Sequence, residues 1–314
     1  MKIDARMPLA LLFVVLAFAT MATLAEAQWR NPVARAEELA RQAGEKDAQG
    51  MLSEAARLYG EAAGVIEDVS GEEELRGNYL FNVGNIRLQL KQNDQALKAF
   101  QGAVPAYEKA LGSMNEKVAD ALHGLGAAAW LVSNYDLATT ALERALRIRE
   151  QMFGETHLVV ANTLNDLSAV HQQAGRPNEA LAGYRRARVI LEMIQAVPES
   201  FITNFSNSAN ALVSLNHAEE AEKIYLRLIQ LGKPQMSRAV VTSIGNLAVI
   251  YREQGRDGDS KARFIEALEY GEQVVGRQAD QVKEIARQYV VLLRKQRDFQ
   301  EVARIEAKYE IAVH

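Results

Sequence analysis

The chain has 314 residues, of which 48% are hydrophobic, and a formal net charge of −4. This apolar content is sufficient for a large buried core, so disorder throughout the chain is excluded. A mildly acidic chain without a run of Lys or Arg lacks the clustered positive charge that binds nucleic acid or anionic lipid, and we expect neither partner. The absence of cysteine excludes disulfides, thiolate metal sites and cysteine nucleophiles.

Residues 1–27 are typical of a secretory signal peptide. Lys2 and Arg6 make its start weakly basic, residues 9–24 are almost entirely apolar, and small residues surround the end at Ala27. We expect cleavage after Ala27 and a periplasmic or secreted mature protein that is not inserted in a membrane. The alternative is an uncleaved membrane anchor, although the apolar run is shorter than the about 20 residues that span a bilayer.

A helical motif recurs along the rest of the chain. In it, a small residue stands four positions before a large aromatic or apolar residue and seven before another small one. Clear copies begin at Ala55, Ala96, Ala138 and Ala180, a looser one at Ala221, and degenerate ones at Ser260 and Val302. The intervals between these first members are 41, 42, 42, 41, 39 and 42 residues. Since offsets of 0, +4 and +7 lie on one helical face, each copy predicts a helix, here named helix B.

A second helical stripe begins sixteen residues before each of the five copies from Ala96 to Ser260 and predicts a helix A. The middle member of this stripe is always small: Gly84, Gly126, Ser168, Ala209 and Ala248. Small residues let two helices approach closely. Short polar segments with turn-forming residues separate helix A from helix B. The repeating unit is therefore predicted to be a helical hairpin.

The spacing of small and aromatic residues resembles the tetratricopeptide repeat, and the period of about 42 residues resembles the long variety of kinesin light chains and many exported bacterial proteins. The best copy comprises residues 160–171 and 179–192, preceded by a linker-like segment at 153–159. The resemblance extends over residues 34–314 and implies an all-α, right-handed superhelical solenoid of about seven helix-turn-helix repeats. Within a mature chain of residues 28–314, the approximate units are 36–70, 77–111, 119–153, 161–195, 202–232, 241–275 and 283–314.

The sequence departs from the family pattern at three kinds of position. The proline that usually closes helix B is absent, and His157 is followed by Leu where proline is common. Pro105 lies inside a predicted helix B, where it predicts a kink or an early stop.

The resemblance implies that the concave surface made by the A helices binds a partner. The positions that face this groove in the family are rich in amides here, with one carboxylate among them: Asn78, Asn82, Asn85, Asn162, Asn165, Asp166, Asn207, Asn210 and Asn246. Asn is a poor helix former, so its concentration in helices requires a reason. An amide both donates and accepts hydrogen bonds, and a row of amides can pair with the backbone of an extended peptide. Alternatively, these side chains bond one another and only hold the superhelix together.

Three further residues are candidates for the same groove. Trp130, near the end of its helix A, either forms a binding hot spot or packs against the next unit. Arg252 and Arg294 either hold an acidic side chain or a terminal carboxylate, or are simply solvated.

No catalytic motif is present in the sequence. The five histidines are scattered without an HExxH pattern, and no phosphate-binding loop occurs. Gly124 and Gly126 superficially fit a dinucleotide fingerprint, but no strand precedes them, so helix packing is expected. The sequence predicts a non-enzymatic scaffold without cofactor or metal that binds an extended segment of a partner protein. The alternatives are a structural or self-associating envelope component, and an accessory regulatory subunit of a separate enzyme.

Overall fold

The computed structural model describes residues 31–194, 198–234 and 236–311. The predicted signal peptide, residues 1–27, lies outside them. Over the described ranges the regular structure is entirely helical, and fourteen helices form seven hairpins. The predicted all-α fold of about seven helix-turn-helix repeats is therefore confirmed. Among these fourteen helices, none combines the length and the apolar character that crossing a bilayer demands.

The chain divides into two compact units, which end and begin at Met152 and Phe153. The first contains three hairpins, formed by α1 (Pro32–Ala48) and α2 (Leu52–Val65), α3 (Glu73–Gln89) and α4 (Asn93–Leu111), and α5 (Glu116–Leu131) and α6 (Tyr135–Phe153). The second contains four, formed by α7 (Leu158–Gln173) and α8 (Pro177–Met193), α9 (Pro198–Ser214) and α10 (Ala218–Gly232), α11 (Arg238–Glu253) and α12 (Asp257–Val274), and α13 (Asp280–Lys295) and α14 (Phe299–Tyr309). Odd-numbered helices are the A helices and even-numbered ones the B helices.

Every turn from helix A to helix B has the same backbone geometry. One residue of the turn has a positive φ, and these residues recur with the spacing of the sequence motif: Gly50, Lys91, Ser133, Gly175, Asn216, Gly255 and Arg297. In the third turn, the Ser133 N–H donates to the Trp130 carbonyl and the Asn134 N–H donates to the Ala129 carbonyl, both at 2.9 Å. The other six turns repeat this pair of hydrogen bonds. The last carbonyls of each A helix are thereby satisfied before the chain reverses.

Glycines allow close contact between helices of the first unit, both within a hairpin and between consecutive hairpins. The Phe100 ring on α4 fills the space beside Gly84 on α3 and Gly124 on α5, where an added Cβ would lie 2.6 and 2.5 Å from ring carbons. A Cβ on Gly126 would lie 2.6 Å from Leu142 on α6. The expected packing role of Gly84, Gly124 and Gly126 is therefore confirmed.

The early stop expected at Pro105 is wrong, because α4 continues through this residue to Leu111. Proline leaves the carbonyl four positions earlier, that of Gln101, without its helical donor. Both residues are exposed, so water can bond this carbonyl. The helix therefore tolerates Pro105, and the kink that was the other expectation remains a prediction.

Ser133 adopts the left-handed conformation, with a φ of 62°. We predict that Ser133→Gly raises the free energy of unfolding by about 1 kcal/mol, because an L-residue is disfavoured by roughly that amount in this region. Urea denaturation measures the change. The reverse substitution at the equivalent turn, Gly175→Ser, is the control and should lower stability by a similar amount. Unchanged midpoints in both variants would contradict the prediction.

Gly124→Ala should lower the free energy of unfolding by about 1–3 kcal/mol, because the new Cβ would force the Phe100 ring out of its site. The matched control is Gly60→Ala on α2, where an added Cβ meets no atom within 4 Å. This control should be neutral or stabilising by up to about 1 kcal/mol, since alanine is the better helix former. If the two substitutions change the thermal unfolding equally, the close contact at Gly124 does not contribute to the free energy of unfolding.

Candidate functional site

The four A helices of the second unit form a continuous layer. Helix α7 contacts α9, α9 contacts α11, and α11 contacts α13. Side chains at equivalent positions of neighbouring A helices are therefore close in space. The predicted groove residues from Asn162 onward lie on these helices.

A hydrogen-bond network around Tyr225 joins two of the predicted groove amides. The Tyr225 hydroxyl donates to Asn210 Oδ1 at 2.8 Å, and Asn246 Nδ2 donates to the Tyr225 hydroxyl oxygen at 3.2 Å. Asn246 Nδ2 is also 3.5 Å from Asn210 Oδ1. Burial raises the pKa of Tyr225 to about 12, so the phenol remains a neutral donor at physiological pH. The network connects α9, α10 and α11.

Each of these two amides has one end that the network does not use. Asn210 and Asn246 are both partly buried, so a part of each side chain reaches solvent. Among the described residues, no group hydrogen-bonds Asn210 Nδ2 or Asn246 Oδ1. An unused hydrogen-bond donor on α9 and an unused acceptor on α11 are therefore present on this layer. Asn207 is also partly buried, on the same helix as Asn210.

Asn165 and Asn204 form a buried pair between α7 and α9. Asn204 Nδ2 donates to Asn165 Oδ1 at 2.8 Å and to the Tyr184 carbonyl at 2.9 Å. Asn204 is fully buried, and Asn165 is only 6% exposed. Sequence reasoning missed Asn204, although it belongs to the same asparagine-rich helix as Asn207. The predicted Asn165 is thus engaged within the protein, whereas its neighbours Asn162 and Asp166 are exposed.

In the first unit, the side-chain oxygen of Asn78 is a hydrogen-bond acceptor for two neighbouring residues. It accepts hydrogen bonds from the Tyr107 hydroxyl at 3.0 Å and from Lys117 Nζ at 3.1 Å. Lys117 also pairs with Glu74 at 2.7 Å. Asn82 and Asn85, farther along the same helix, are partly buried.

Trp130 is 38% exposed near the end of α5, and the adjacent Leu131 is 47% exposed. The two side chains form an apolar patch on the first unit.

The two predicted basic residues of the second unit differ in their partners. Arg294 pairs with Glu306 at 2.9 Å. Arg252 Nη1 instead donates to the carbonyl oxygen and to the side-chain Oε1 of Gln288, at 3.1 and 3.2 Å. Within the described residues, no carboxylate forms a salt bridge with Arg252.

A cavity of about 170 Å³ lies between α11 and α13, beside Asn246. Its lining comprises Thr242, Gly245, Asn246, Val249, Phe264, Gln281, Glu284, Ile285 and Gln288. Sequence reasoning identified only Asn246 among these residues, because nothing in the pattern of one hairpin shows where the next leaves a space.

The polar rim of the cavity is held by internal hydrogen bonds. Gln281 Nε2 donates to Thr242 Oγ1 and to the Arg238 carbonyl. Gln288 Nε2 donates to Glu284 Oε1 at 3.0 Å, and this hydrogen bond, with that from Arg287, holds the pKa of Glu284 below its usual range. Glu284 is therefore ionised at neutral pH.

No set of three or more His, Asp or Glu side chains within the described ranges is arranged to hold a metal ion. Of the histidines, His157 stacks on Phe153 with ring centroids 5.0 Å apart, and its Nδ1 accepts from the Val159 N–H at the start of α7. His157 thus packs within the linker and caps the start of α7.

Seven hairpins with a common period and a continuous layer of A helices define a helical-repeat protein, a class that generally presents extended surfaces to other proteins. Two family models, both described as tetratricopeptide repeat, match residues 117–193 and 240–280. The chain therefore contains tetratricopeptide repeats, as the sequence motif predicts. No curated protein sequence matches the chain.

Several solved structures have a similar fold. A putative kinesin light chain of Podosopora anserina, with nearly identical TPR-like repeats, is 18% identical, with 66% of this chain and 99% of that chain covered and a TM-score of 0.56. A STAND signal transduction ATPase with a tetratricopeptide-repeat sensor from Pyrococcus horikoshii is 12% identical, with 90% and 42% covered and a TM-score of 0.69. A Rap protein complexed with Competence and Sporulation Factor is 15% identical, with 93% and 79% covered and a TM-score of 0.51. At these identities the similarity shows the fold alone.

Tyr225→Phe should lower the free energy of unfolding by about 1 kcal/mol, because it removes the hydroxyl that joins Asn210 and Asn246. The control is Tyr289→Phe on α13. Tyr289 is equally buried, but its hydroxyl has no hydrogen-bond partner among the described residues. Its removal should be neutral or stabilising, since an unsatisfied buried hydroxyl carries a desolvation cost. Equal losses in both variants during urea denaturation would contradict a structural role for the Tyr225 network.

Proposed function

We propose that this chain is a non-catalytic scaffold that binds an extended segment of a partner protein along the A helices of its second unit. The observation that carries the proposal is that the contacting helices α9 and α11 each retain an unused amide atom, Asn210 Nδ2 and Asn246 Oδ1. An extended backbone presents alternating carbonyl acceptors and N–H donors. Asn210 Nδ2 would donate to a backbone carbonyl, and Asn246 Oδ1 would accept from a backbone N–H. Neither contact depends on the side chains of the bound segment.

The second unit offers accessible amides on A helices that contact one another, α7, α9 and α11. Asn165 is the exception, because its pair with Asn204 buries it within the scaffold. Asn162, Asn207, Asn210 and Asn246 retain solvent-accessible surface. A short segment bound in this way should have about micromolar affinity, about −8 kcal/mol.

The structural neighbours are compatible with this proposal. The Rap protein of similar fold was solved in a complex with Competence and Sporulation Factor. A fold of stacked helical hairpins therefore forms at least one such complex. The pattern of residues 1–27 further supports a site of action in the periplasm or outside the cell.

The test is a crosslinked pull-down from the envelope fraction with the double variant Asn210→Ala and Asn246→Ala. We expect a partner captured by the wild type to be lost, because the paired donor and acceptor are removed. Circular dichroism and the melting temperature verify that the variant remains folded. Asn178→Ala, at an exposed asparagine of α8, is the matched control and should retain the partner.

Unchanged capture by the double variant would overturn the proposal. The amides would then serve only the scaffold, and self-association or an accessory role toward a separate enzyme would become the better explanation.

A further inference from the structure

The cavity beside Asn246 has the size of one large side chain. Pockets for whole small molecules measure about 300–1,000 Å³. The volume here is about 170 Å³. An engineered apolar cavity of about 150 Å³ holds a single benzene molecule. The cavity is therefore suited to one group of that size.

The inner walls of the cavity are apolar and well ordered by packing. The fully buried Phe264 ring stacks on Tyr289, with ring centroids 5.5 Å apart and an interplanar angle of 28°. Opposite it, Gly245 has no side chain, and an added Cβ would lie 3.0 Å from Ile285 Cγ1. Val249, which is partly exposed, completes this wall toward solvent. A buried aliphatic or aromatic group would therefore contact carbon atoms on several sides.

The polar rim offers little to a charged ligand. Both oxygens of Glu284 already accept hydrogen bonds, from Gln288 and from Arg287. Gln281 donates to Thr242 and to the Arg238 carbonyl. A ligand carboxylate would be repelled by the ionised Glu284, and an ammonium group would compete with the existing partners of that carboxylate. An uncharged apolar group leaves every one of these bonds intact.

Asn246 connects the cavity to the backbone-binding atoms. It lines the cavity, and it also holds the unused acceptor Oδ1. A segment whose backbone binds Asn246 would therefore pass beside the cavity, where one of its side chains can enter.

We propose that the cavity between α11 and α13 is a specificity subsite that takes one bulky apolar side chain, of leucine, methionine or phenylalanine size, from the bound segment. This inference rests on the proposed function and adds the side-chain class that the scaffold selects. The apolar walls select the side chain, whereas the amides bind the backbone.

The probes are acetylated and amidated nine-residue peptides of alternating Ser and Ala, with Leu, Ala, Lys or Glu at the central position. Binding to the full chain is followed by NMR, through the methyl signals of Val249 and Ile285 and the side-chain amide signals of Asn210 and Asn246. We expect the Leu peptide to bind about tenfold more tightly than the Ala peptide and to shift the methyl signals. The Lys and Glu peptides should bind no better than the Ala peptide.

A matched pair of variants tests the cavity itself. Val249→Phe should fill it and abolish the preference for the Leu peptide over the Ala peptide. Val189→Phe introduces the same side chain at a 52% exposed position of α8 and should keep the preference. If all four peptides shift the asparagine signals with equal affinity, the subsite is overturned and the proposed function stands. If no peptide shifts these signals, both are overturned.

Discussion

The Phe100 ring occupies space that exists only because Gly84 and Gly124 have no side chain. The contact with Gly84 brings together the two helices of one hairpin, and the contact with Gly124 brings the next hairpin against them. A single hairpin leaves an apolar stripe exposed, so it is stable only when a neighbour covers that stripe. The small residues in the middle of the A helices act within the hairpin instead, because Gly84 faces Phe100 and Gly126 faces Leu142 of the same hairpin and each lets the two helices approach closely.

Close packing of the A helices has a second consequence, which concerns polar groups. An amide within such a layer must find a partner, because a buried unsatisfied polar group costs about 1–3 kcal/mol. The amide nitrogen of Asn204 meets this requirement with two acceptors, Asn165 and the Tyr184 carbonyl, whereas its buried oxygen has no hydrogen-bond partner among the described residues. Asn210 and Asn246 meet it through one shared hydroxyl, that of Tyr225. The buried amides thus join neighbouring hairpins, and their positions are as restricted as those of the core.

The repeat architecture could be predicted from the sequence because its signals are local. The helical period and the small residue each involve positions within one hairpin. In the structure, each turn between helix A and helix B contains one positive-φ residue, and these residues recur with the spacing of the motif. The pairings of the amides could not be predicted, because Asn204 meets Asn165 across 39 positions and Asn246 meets Asn210 across 36. The continuation of α4 through Pro105 could not be predicted for a related reason, since the cost of this proline depends on whether the carbonyl of Gln101 faces protein or water.

The two interpretations of the asparagine positions, ligand binding and support of the fold, are compatible at Asn210 and Asn246. An amide has a donor end and an acceptor end, and the Tyr225 network uses only one end of each. The bond to Tyr225 fixes the orientation of both side chains before any partner arrives. Ordering these side chains would otherwise cost about 0.5–1.5 kcal/mol each on binding. The same hydrogen bonds that stabilise the fold therefore pre-organise the free ends, and a backbone that meets them loses less entropy than it would on a layer of unrestrained amides.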